Sequence, residues 1–192
     1  MKTDSFSFEL PEELIAQKPA ERREESRLME LRTDGSIRHL KITDLPRLIP
    51  ENAVLVINDS RVRKARIYGT TEHGGRVEFL LIEERERGEW KAVVSKAKRQ
   101  KPGRRYRFPG KIGGREVWGE ISESAGEHRY VRFDPPISDA YLDTHGHMPL
   151  PPYIRREDDP EDSKRYQTVY ADRVGSVAAP TAGLHLTEEI LT

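Results

Sequence analysis

The sequence contains no cysteine. Disulfide bonds, thiolate zinc sites, iron–sulfur clusters and cysteine nucleophiles are therefore excluded for these residues. Long hydrophobic runs are also lacking, because the longest aliphatic run, residues 53–57, is too short to cross a bilayer. The first six residues lack the apolar stretch of a signal peptide. We therefore expect a soluble protein of the cytoplasm with no membrane partner.

Hydrophobic residues scarcely outnumber charged ones. They make up 35% of the chain and charged residues 34%, whereas a typical globular domain is about 25% charged. A length of 192 residues suits one domain or two small ones, with a thin core. Clusters of hydrophobic and aromatic residues nevertheless argue against disorder.

The first third of the chain predicts a hairpin and one buried strand. Two β-type segments, 27–31 and 37–40, flank Asp34-Gly35, a dipeptide that favours a tight turn. Residues 53–57 are apolar without interruption, which predicts a strand buried on both faces of an α/β sheet. Polar residues follow at its carboxyl end, where α/β sheets gather their ligands.

The middle of the chain predicts a small β-barrel. Short β-type segments separated by glycine, proline and charged turns run from about Val62 to Phe133. These segments are 77–82, 90–94, 106–108, 117–121 and 130–133. Afterwards we expect a helix over 137–143 that stops near Gly146, then an extended link over 148–154. A helix over 165–171 and the start of another at Thr187 complete the prediction.

Charge is segregated although the formal net charge is zero. Residues 91–115 contain ten basic residues and no acidic one, so the rest of the chain has ten more acidic than basic residues. We define the basic strip as seven of these cations and predict that they contact RNA phosphates, with Tyr106 and Phe108 offering faces for stacking. The alternative is a solvated hairpin edge protected from aggregation. The strip comprises Lys96, Lys98, Arg99, Lys101, Arg104, Arg105 and Arg107.

Small residues fill the segment from Gly175 to His185. Such residues let backbone groups approach a ligand closely, hydroxyls add hydrogen bonds, and a histidine can exchange a proton near neutral pH. The segment therefore predicts a ligand-binding loop in which His185 could exchange a proton. The alternative is a tightly packed turn in which His185 only forms a structural hydrogen bond. The predicted substrate-binding residues here are Gly175, Ser176, Pro180, Thr181 and Gly183.

A second candidate group follows the apolar run. Asn58 and Arg61 are predicted to bind substrate, since a guanidinium holds a carboxylate or phosphate with two hydrogen bonds, and the Asp59 carboxylate can accept hydrogen bonds or a proton. An internal ion pair that closes a turn is the alternative. His145 and His147 lack the carboxylate or cysteine partners of a metal site, and no P-loop or dinucleotide fingerprint occurs. We expect no metal and no bound cofactor.

Five segments, in this order along the chain, closely resemble the S-adenosylmethionine:tRNA ribosyltransferase-isomerases of queuosine biosynthesis. We call them the five matching segments, and they are Phe8–Gln17, Asn58–Val62, Pro149–Ile154, Arg165–Ala171 and Gly175–Thr187. The resemblance implies an α/β domain, residues 1–61 and 150–192, with a β-barrel domain, residues 62–149, inserted into it. Within these segments, this chain departs from the family at Leu186, where the family usually has phenylalanine. Family members also continue beyond residue 192, so we expect an N-terminal portion with part of the α/β domain missing.

The resemblance implies that S-adenosylmethionine is a co-substrate whose ribosyl part is transferred to 7-aminomethyl-7-deazaguanine at the wobble position of tRNA. Rearrangement gives epoxyqueuosine and releases adenine and methionine. This chemistry needs an acid/base group beside the nucleoside, for which His185 is the leading candidate and Asp59 the alternative base. Arg61 would bind the methionine carboxylate or an RNA phosphate. The competing hypotheses are a noncatalytic RNA-binding module and a structural subunit.

Overall fold

The computed structural model describes residues 2–85 and 88–192. Near its start lies an antiparallel hairpin of strands β1 (Arg27–Leu31) and β2 (Ile37–Lys41). Its turn contains Gly35 at a φ of 81°, and the Asp34 carboxylate accepts hydrogen bonds from the backbone N–H and hydroxyl of Ser36. The predicted hairpin is confirmed, because glycine adopts this φ without steric cost.

The prediction of a buried strand over residues 53–57 is wrong. They form no strand, and the side chains of Val54 and Val56 are each 88% exposed. A strand buried on both faces needs neighbouring strands and covering helices, and the described residues place neither beside this run. The first strand after it is the short β3 (Ser60–Val62).

The predicted barrel is confirmed. Six antiparallel strands close in the order β4-β5-β6-β9-β8-β7. Alternation places side chains such as Phe79 and Val117 in the core and charged residues outside. The strands are β4 (Arg66–Thr70), β5 (Arg76–Glu84), β6 (Glu89–Val94), β7 (Arg105–Ile112), β8 (Arg115–Ala125) and β9 (His128–Asp134). Sequence reasoning missed β4.

A parallel ladder joins the two parts of the chain that flank the barrel. Strand β3, just before the barrel, pairs with β10 (Arg173–Ser176), far beyond it. A small second core packs beside this ladder, with Val62, Met148 and Leu150 at its centre. The fold is thus α/β with an inserted β-barrel, while the exact domain boundaries stay a prediction.

The helices are short. The α-helices are α1 (Leu45–Leu48), α2 (Asp139–His145), α3 (Asp162–Arg165) and α4 (Glu188–Leu191). The 3-10 helices include Thr3–Phe6, Glu12–Leu14, Arg23–Glu25, Ile42–Asp44, Ala97–Arg99 and Thr181–His185. No helix within the two described ranges is long and apolar enough to cross a membrane.

Two of the three helix predictions after the barrel are confirmed. Helix α2 spans Asp139–His145 rather than 137–143 and stops before Gly146, as predicted. Helix α4 begins after Thr187, whose hydroxyl accepts from the N–H of Ile190. The helix predicted over 165–171 is wrong, because helix α3 instead ends at Arg165. The following residues turn, so that Gln167 bonds to another segment rather than continuing the helix.

Candidate functional site

Gln17 connects the first and third of the five matching segments. Its side-chain amide accepts from the N–H of Arg155 over 2.7 Å and donates to the carbonyl of Tyr153 over 3.1 Å. The Arg155 guanidinium also forms a two-pronged ion pair with Glu12. These contacts hold an irregular N-terminal stretch against the link that follows the barrel.

Arg23 fastens the fourth segment to the fifth. Its guanidinium donates to the carbonyls of Leu184 at 2.6 Å, Gln167 at 2.7 Å and Lys164 at 3.0 Å. Burial, and secondly repulsion from Arg165, lowers the pKa of Arg23. Since a guanidinium carries five N–H donors in a fixed plane, one side chain can fix two loops at once.

Gln167 extends this network to the second segment. Its amide oxygen accepts from the N–H of Val62 over 2.8 Å, and its amide nitrogen donates to the carbonyl of Val62 over 2.7 Å. Val62 is buried in the second core. Side-chain amides and a guanidinium therefore join segments that the barrel separates in sequence.

A cleft of about 490 Å³ opens where these segments meet. Four of the five matching segments reach its wall, through Gln17, Tyr153, Tyr166 and His185 respectively. Its volume lies in the range usual for small-ligand sites, about 300–1,000 Å³. Among the described residues, the wall carries three basic side chains and no carboxylate. The basic residues are Lys18, Arg27 and Arg165.

His185 lies at this cleft with one ring nitrogen engaged. Its Nδ1 is 2.9 Å from the hydroxyl oxygen of Ser26. Although the side chain keeps substantial exposure, partial burial lowers the pKa of His185, and the positive charges of Arg165 and Arg23 lower it further. The shift favours the neutral imidazole, the form that can accept a proton.

The other predicted residues of the fifth segment divide by position. Thr181 lines the cleft with His185. Gly183 and Pro180 shape the chain instead: Gly183 donates its N–H to the carbonyl of Pro180, and a Cβ at Gly183 would overlap the hydroxyl of Tyr170. Glycine is thus required where the fifth segment crosses the fourth.

The remaining two predicted residues of the fifth segment, Gly175 and Ser176, lie on strand β10, away from the cleft wall. The Ser176 hydroxyl donates to the carbonyl of Ala178, and the Ser176 carbonyl accepts from the N–H of Arg63. Gly175 has open space where a side chain would be. Both residues lie in the β3–β10 ladder.

The second segment does not reach the cleft. Asn58 caps its own turn, with its side-chain oxygen accepting from the N–H of Ser60 over 2.8 Å. Asp59 and Arg61 are exposed, and the carbonyl of Asp59 accepts from the N–H of Asp172. The structure therefore gathers Asn58, Asp59 and Arg61 beside β10, whereas His185 lies at the cleft.

We expect the His185 imidazole to titrate below its ordinary pKa of about 6.5, as an NMR pH titration of its ring protons would measure. Arg165→Gln should raise that pKa by removing a nearby positive charge, whereas Lys164→Gln, an exposed neighbour that does not contribute to the shift, should leave it unchanged. Because the folded pKa is depressed, the unfolded chain takes up the proton first as pH falls, so folding stability declines as pH drops below about 6.5. Equal titration in both variants would contradict the assigned cause.

All seven residues of the basic strip are exposed, which leaves the predicted RNA contact available. Lys96 adopts a left-handed φ of 54° and begins the 3-10 helix Ala97–Arg99, which carries Lys98 and Arg99. Arg107 lies 3.6 Å from Glu116, so part of its charge is locally compensated. The strip combines this turn with the start of β7.

The prediction that Tyr106 and Phe108 offer faces for stacking is wrong. Tyr106 is 0% and Phe108 is 3% exposed, because both point into the barrel. Alternation along β7 places Arg105 and Arg107 outside and these two aromatics inside. Phe79 packs edge-on against both rings, with centroid distances of 5.0 and 5.2 Å, so neither ring can stack on a nucleobase.

Arg129 supports the basic turn from within. This buried side chain donates to the carbonyls of Ala97 at 2.6 Å and Gln100 at 2.7 Å, and to two carbonyls of the β8–β9 turn. Gln100, itself buried, accepts a hydrogen bond from the Tyr106 hydroxyl. The turn that carries Lys98 and Arg99 is therefore fixed to the barrel.

Arg129→Leu should lower the free energy of unfolding by about 2–4 kcal/mol, because buried carbonyls of the turn lose their donor. Urea denaturation would measure the loss. The matched control is Arg132→Leu on the same strand, an exposed arginine paired with Glu89 at 3.1 Å, which should cost less than about 1 kcal/mol. Equal losses would show that Arg129 is no more than a surface charge.

Sequence reasoning missed Arg23 and Arg129. Neither belongs to a recognisable motif, and both act on backbone carbonyls far away in sequence. Arg129 lies one residue before the predicted segment 130–133. Extending the alternation of that segment back by one residue puts Arg129 on the inward face with Val131 and Phe133, where a charge demands partners. Arg23 lies in a run of charged residues and gave no such signal.

Comparisons with known proteins identify the family. The model of the family described as "Queuosine biosynthesis protein" matches residues 3–192. The S-adenosylmethionine:tRNA ribosyltransferase-isomerases of Treponema denticola and Acetivibrio thermocellus are 46% and 44% identical, over 100% of this chain but only 56% and 55% of theirs. A crystal structure of the S-adenosylmethionine tRNA ribosyltransferase of Thermotoga maritima is 27% identical, covers 97% of this chain and 52% of that one, and gives a TM-score of 0.37. The chain spans about half the length of the curated relatives it matches, and it belongs to the queuosine biosynthesis protein family.

Proposed function

We propose that this chain takes part in the transfer and isomerisation of the ribosyl part of S-adenosylmethionine onto 7-aminomethyl-7-deazaguanine at the wobble position of tRNA. Epoxyqueuosine forms, and adenine and methionine are released. The relatives' names support the activity. The observation that carries the proposal for this chain is the cleft, where four of the five matching segments meet beside His185.

The protonation state of His185 fits one step of this reaction. A proton next to the sulfonium of S-adenosylmethionine is acidified by the positive sulfur, and removing it requires an unprotonated base. Burial and two nearby arginines lower the pKa of His185, which favours its unprotonated form. Once protonated, the same ring can supply the proton that adenine needs to leave. Asp59 stays the alternative base.

The charge of the cleft suits the anionic parts of the substrates. Lys18, Arg27 and Arg165 line it without an opposing carboxylate among the described residues, so a methionine carboxylate or a tRNA phosphate is attracted. The same field is unfavourable for the sulfonium itself, so the sulfonium is best held away from these three side chains. Arg61, exposed beside β10, is proposed to bind a second anionic group.

The remaining substrate contacts follow from the same proposal. Thr181 at the cleft wall offers a hydroxyl to the nucleoside, while Asn58, just before β3, and Gly175 and Ser176 of β10 are proposed to contact the substrates at the β3–β10 ladder. The basic strip holds the tRNA backbone. S-adenosylmethionine serves as co-substrate, no metal or further cofactor takes part, and the cytoplasm is the proposed location.

A noncatalytic RNA-binding module is the second candidate. The observation in its favour is the rigid, exposed basic turn on a complete barrel, in a chain that spans about half the length of its relatives. Such a module would bind tRNA with a strong salt dependence and perform no chemistry.

One assay separates these functions. The 192-residue chain is mixed with S-adenosylmethionine and tRNA that carries 7-aminomethyl-7-deazaguanine, and free adenine and methylated RNA are both measured. Adenine release that depends on this tRNA, without methylation, supports the transferase. Salt-sensitive tRNA binding with no adenine supports the module, and the absence of both signals contradicts the two proposals together.

A further inference from the structure

Trp118 is an aromatic side chain on the outside of the barrel. It lies on β8 between Val117 and Gly119, which face the core, and it remains partly exposed. In the strand pairing it stands opposite Arg107 of β7 on one side and Asp134 of β9 on the other. An outward tryptophan therefore stands directly beside the basic strip.

Arg105, another member of the strip, contacts this ring. Its guanidinium carbon lies 5.1 Å from the ring centroid of Trp118, within the range of a cation–π contact. Both residues line a shallow depression of about 190 Å³ on the barrel surface. Nucleobases stack on indole rings and on guanidinium planes alike, so the pair offers two adjoining planes of the right kind.

The surrounding charges favour a base over a phosphate. Glu120 and Asp134 line the same depression as Arg105 and Arg132, so the depression has little net charge. Carboxylates repel phosphates, but they accept hydrogen bonds from the amino groups on base edges. Phosphates are instead attracted to the turn with Lys96, Lys98 and Arg99, whose side chains are exposed.

Other arginine–aromatic pairs of the barrel are unsuited to this role. Trp90 and Tyr130 are buried, at 1% and 6% exposure. Tyr68 is covered by Arg76, whose guanidinium carbon lies 3.6 Å from its ring centroid, and it packs against His147. Trp118 thus combines partial exposure, a depression and a position next to the strip.

We propose that Trp118, together with Arg105, is a stacking site for an unpaired nucleobase of the bound RNA. This inference rests on the RNA-binding part of the proposed function. It gives the basic strip a preference for single-stranded or loop nucleotides, because a base within a duplex cannot leave its stack without an energetic cost. Phosphate contacts alone would not discriminate in this way.

Fluorescence titration of the 192-residue chain tests the site. The probes are a single-stranded oligouridine octamer and an RNA duplex of similar charge. Of the two tryptophans, Trp90 is buried, so quenching by the octamer reports Trp118. Trp118→Leu should abolish the quenching and weaken octamer binding about 5- to 100-fold, as measured by anisotropy of a labelled octamer, while duplex binding changes less than about twofold.

Two further variants keep the test decisive. Trp118→Phe retains an aromatic ring and should give an intermediate octamer affinity, and it serves if the leucine variant folds poorly. Tyr68→Leu, the matched control, removes an arginine-paired aromatic elsewhere on the barrel and should leave octamer affinity unchanged. Wild-type octamer affinity in Trp118→Leu would overturn the stacking site while leaving RNA binding intact. If wild-type protein binds neither probe nor tRNA, the RNA-binding part of the proposed function fails instead.

Discussion

His185→Ala should lower tRNA-dependent adenine release by about 100- to 10,000-fold, the usual contribution of a positioned acid or base. The prediction follows from the neutral imidazole at the cleft and from its contact with Ser26 at 2.9 Å. Single-turnover assays at saturating S-adenosylmethionine would measure the chemical step apart from binding. The pH–rate profile should also lose its acidic limb, because that limb reports protonation of the base.

The controls separate chemistry from folding. His39→Ala removes an exposed histidine of strand β2 and should leave the rate unchanged. Ser26→Ala keeps the imidazole but removes the hydroxyl beside Nδ1, so a loss of about tenfold or less is expected if Ser26 only orients the ring. Near-normal adenine release by His185→Ala, with RNA binding and melting temperature preserved, would remove His185 from the mechanism and favour Asp59.

Local patterning was sufficient to predict the barrel and the hairpin. Short β-type segments such as 77–82, separated by glycine, proline and charged turns, indicate strands whatever lies elsewhere in the chain. The Asp34-Gly35 turn and the cap at Thr187 depend only on neighbouring residues. These features were therefore available from the sequence, and the structure confirms them.

Burial that depends on residues distant in the chain could not be predicted from local sequence patterns. The run 53–57 is apolar, but the described residues provide no strands to pair with it, and it stays exposed. The stacking prediction for Tyr106 and Phe108 was wrong for a simpler reason. Side chains alternate along β7, so the exposed arginines on one face place these two rings on the inner face.

The candidate site shows the same division. His185 and Thr181 are predicted from the sequence as site residues, and both lie at the cleft. The sequence pattern does not show whether Asp59 and Arg61 lie near His185. The parallel pairing of β3 with β10 places them beside β10 instead. Arg23 donates to the backbone carbonyls of Leu184 and Gln167. Because every residue has a backbone carbonyl, such contacts cannot be predicted from residue types.

Phe79→Ala should lower the free energy of unfolding by about 3–5 kcal/mol. Phe79 is fully buried at the centre of the barrel core, where its ring packs against those of Tyr106 and Phe108. Truncation removes these contacts and leaves a cavity that the closed barrel cannot collapse to fill. Because a domain is stable by only about 5–15 kcal/mol, the melting temperature should fall by about 10 °C or more.

Val93→Ala provides the matched control. Val93 lies on neighbouring strand β6 with 41% of its surface exposed, so its truncation should cost less than about 1 kcal/mol. Urea unfolding monitored through the buried Trp90 reports the barrel itself. Because the barrel carries the basic strip, Phe79→Ala should also lose tRNA binding at temperatures where Val93→Ala retains it. Similar stabilities for the two variants would mean that the barrel interior tolerates a void, contrary to a close-packed core.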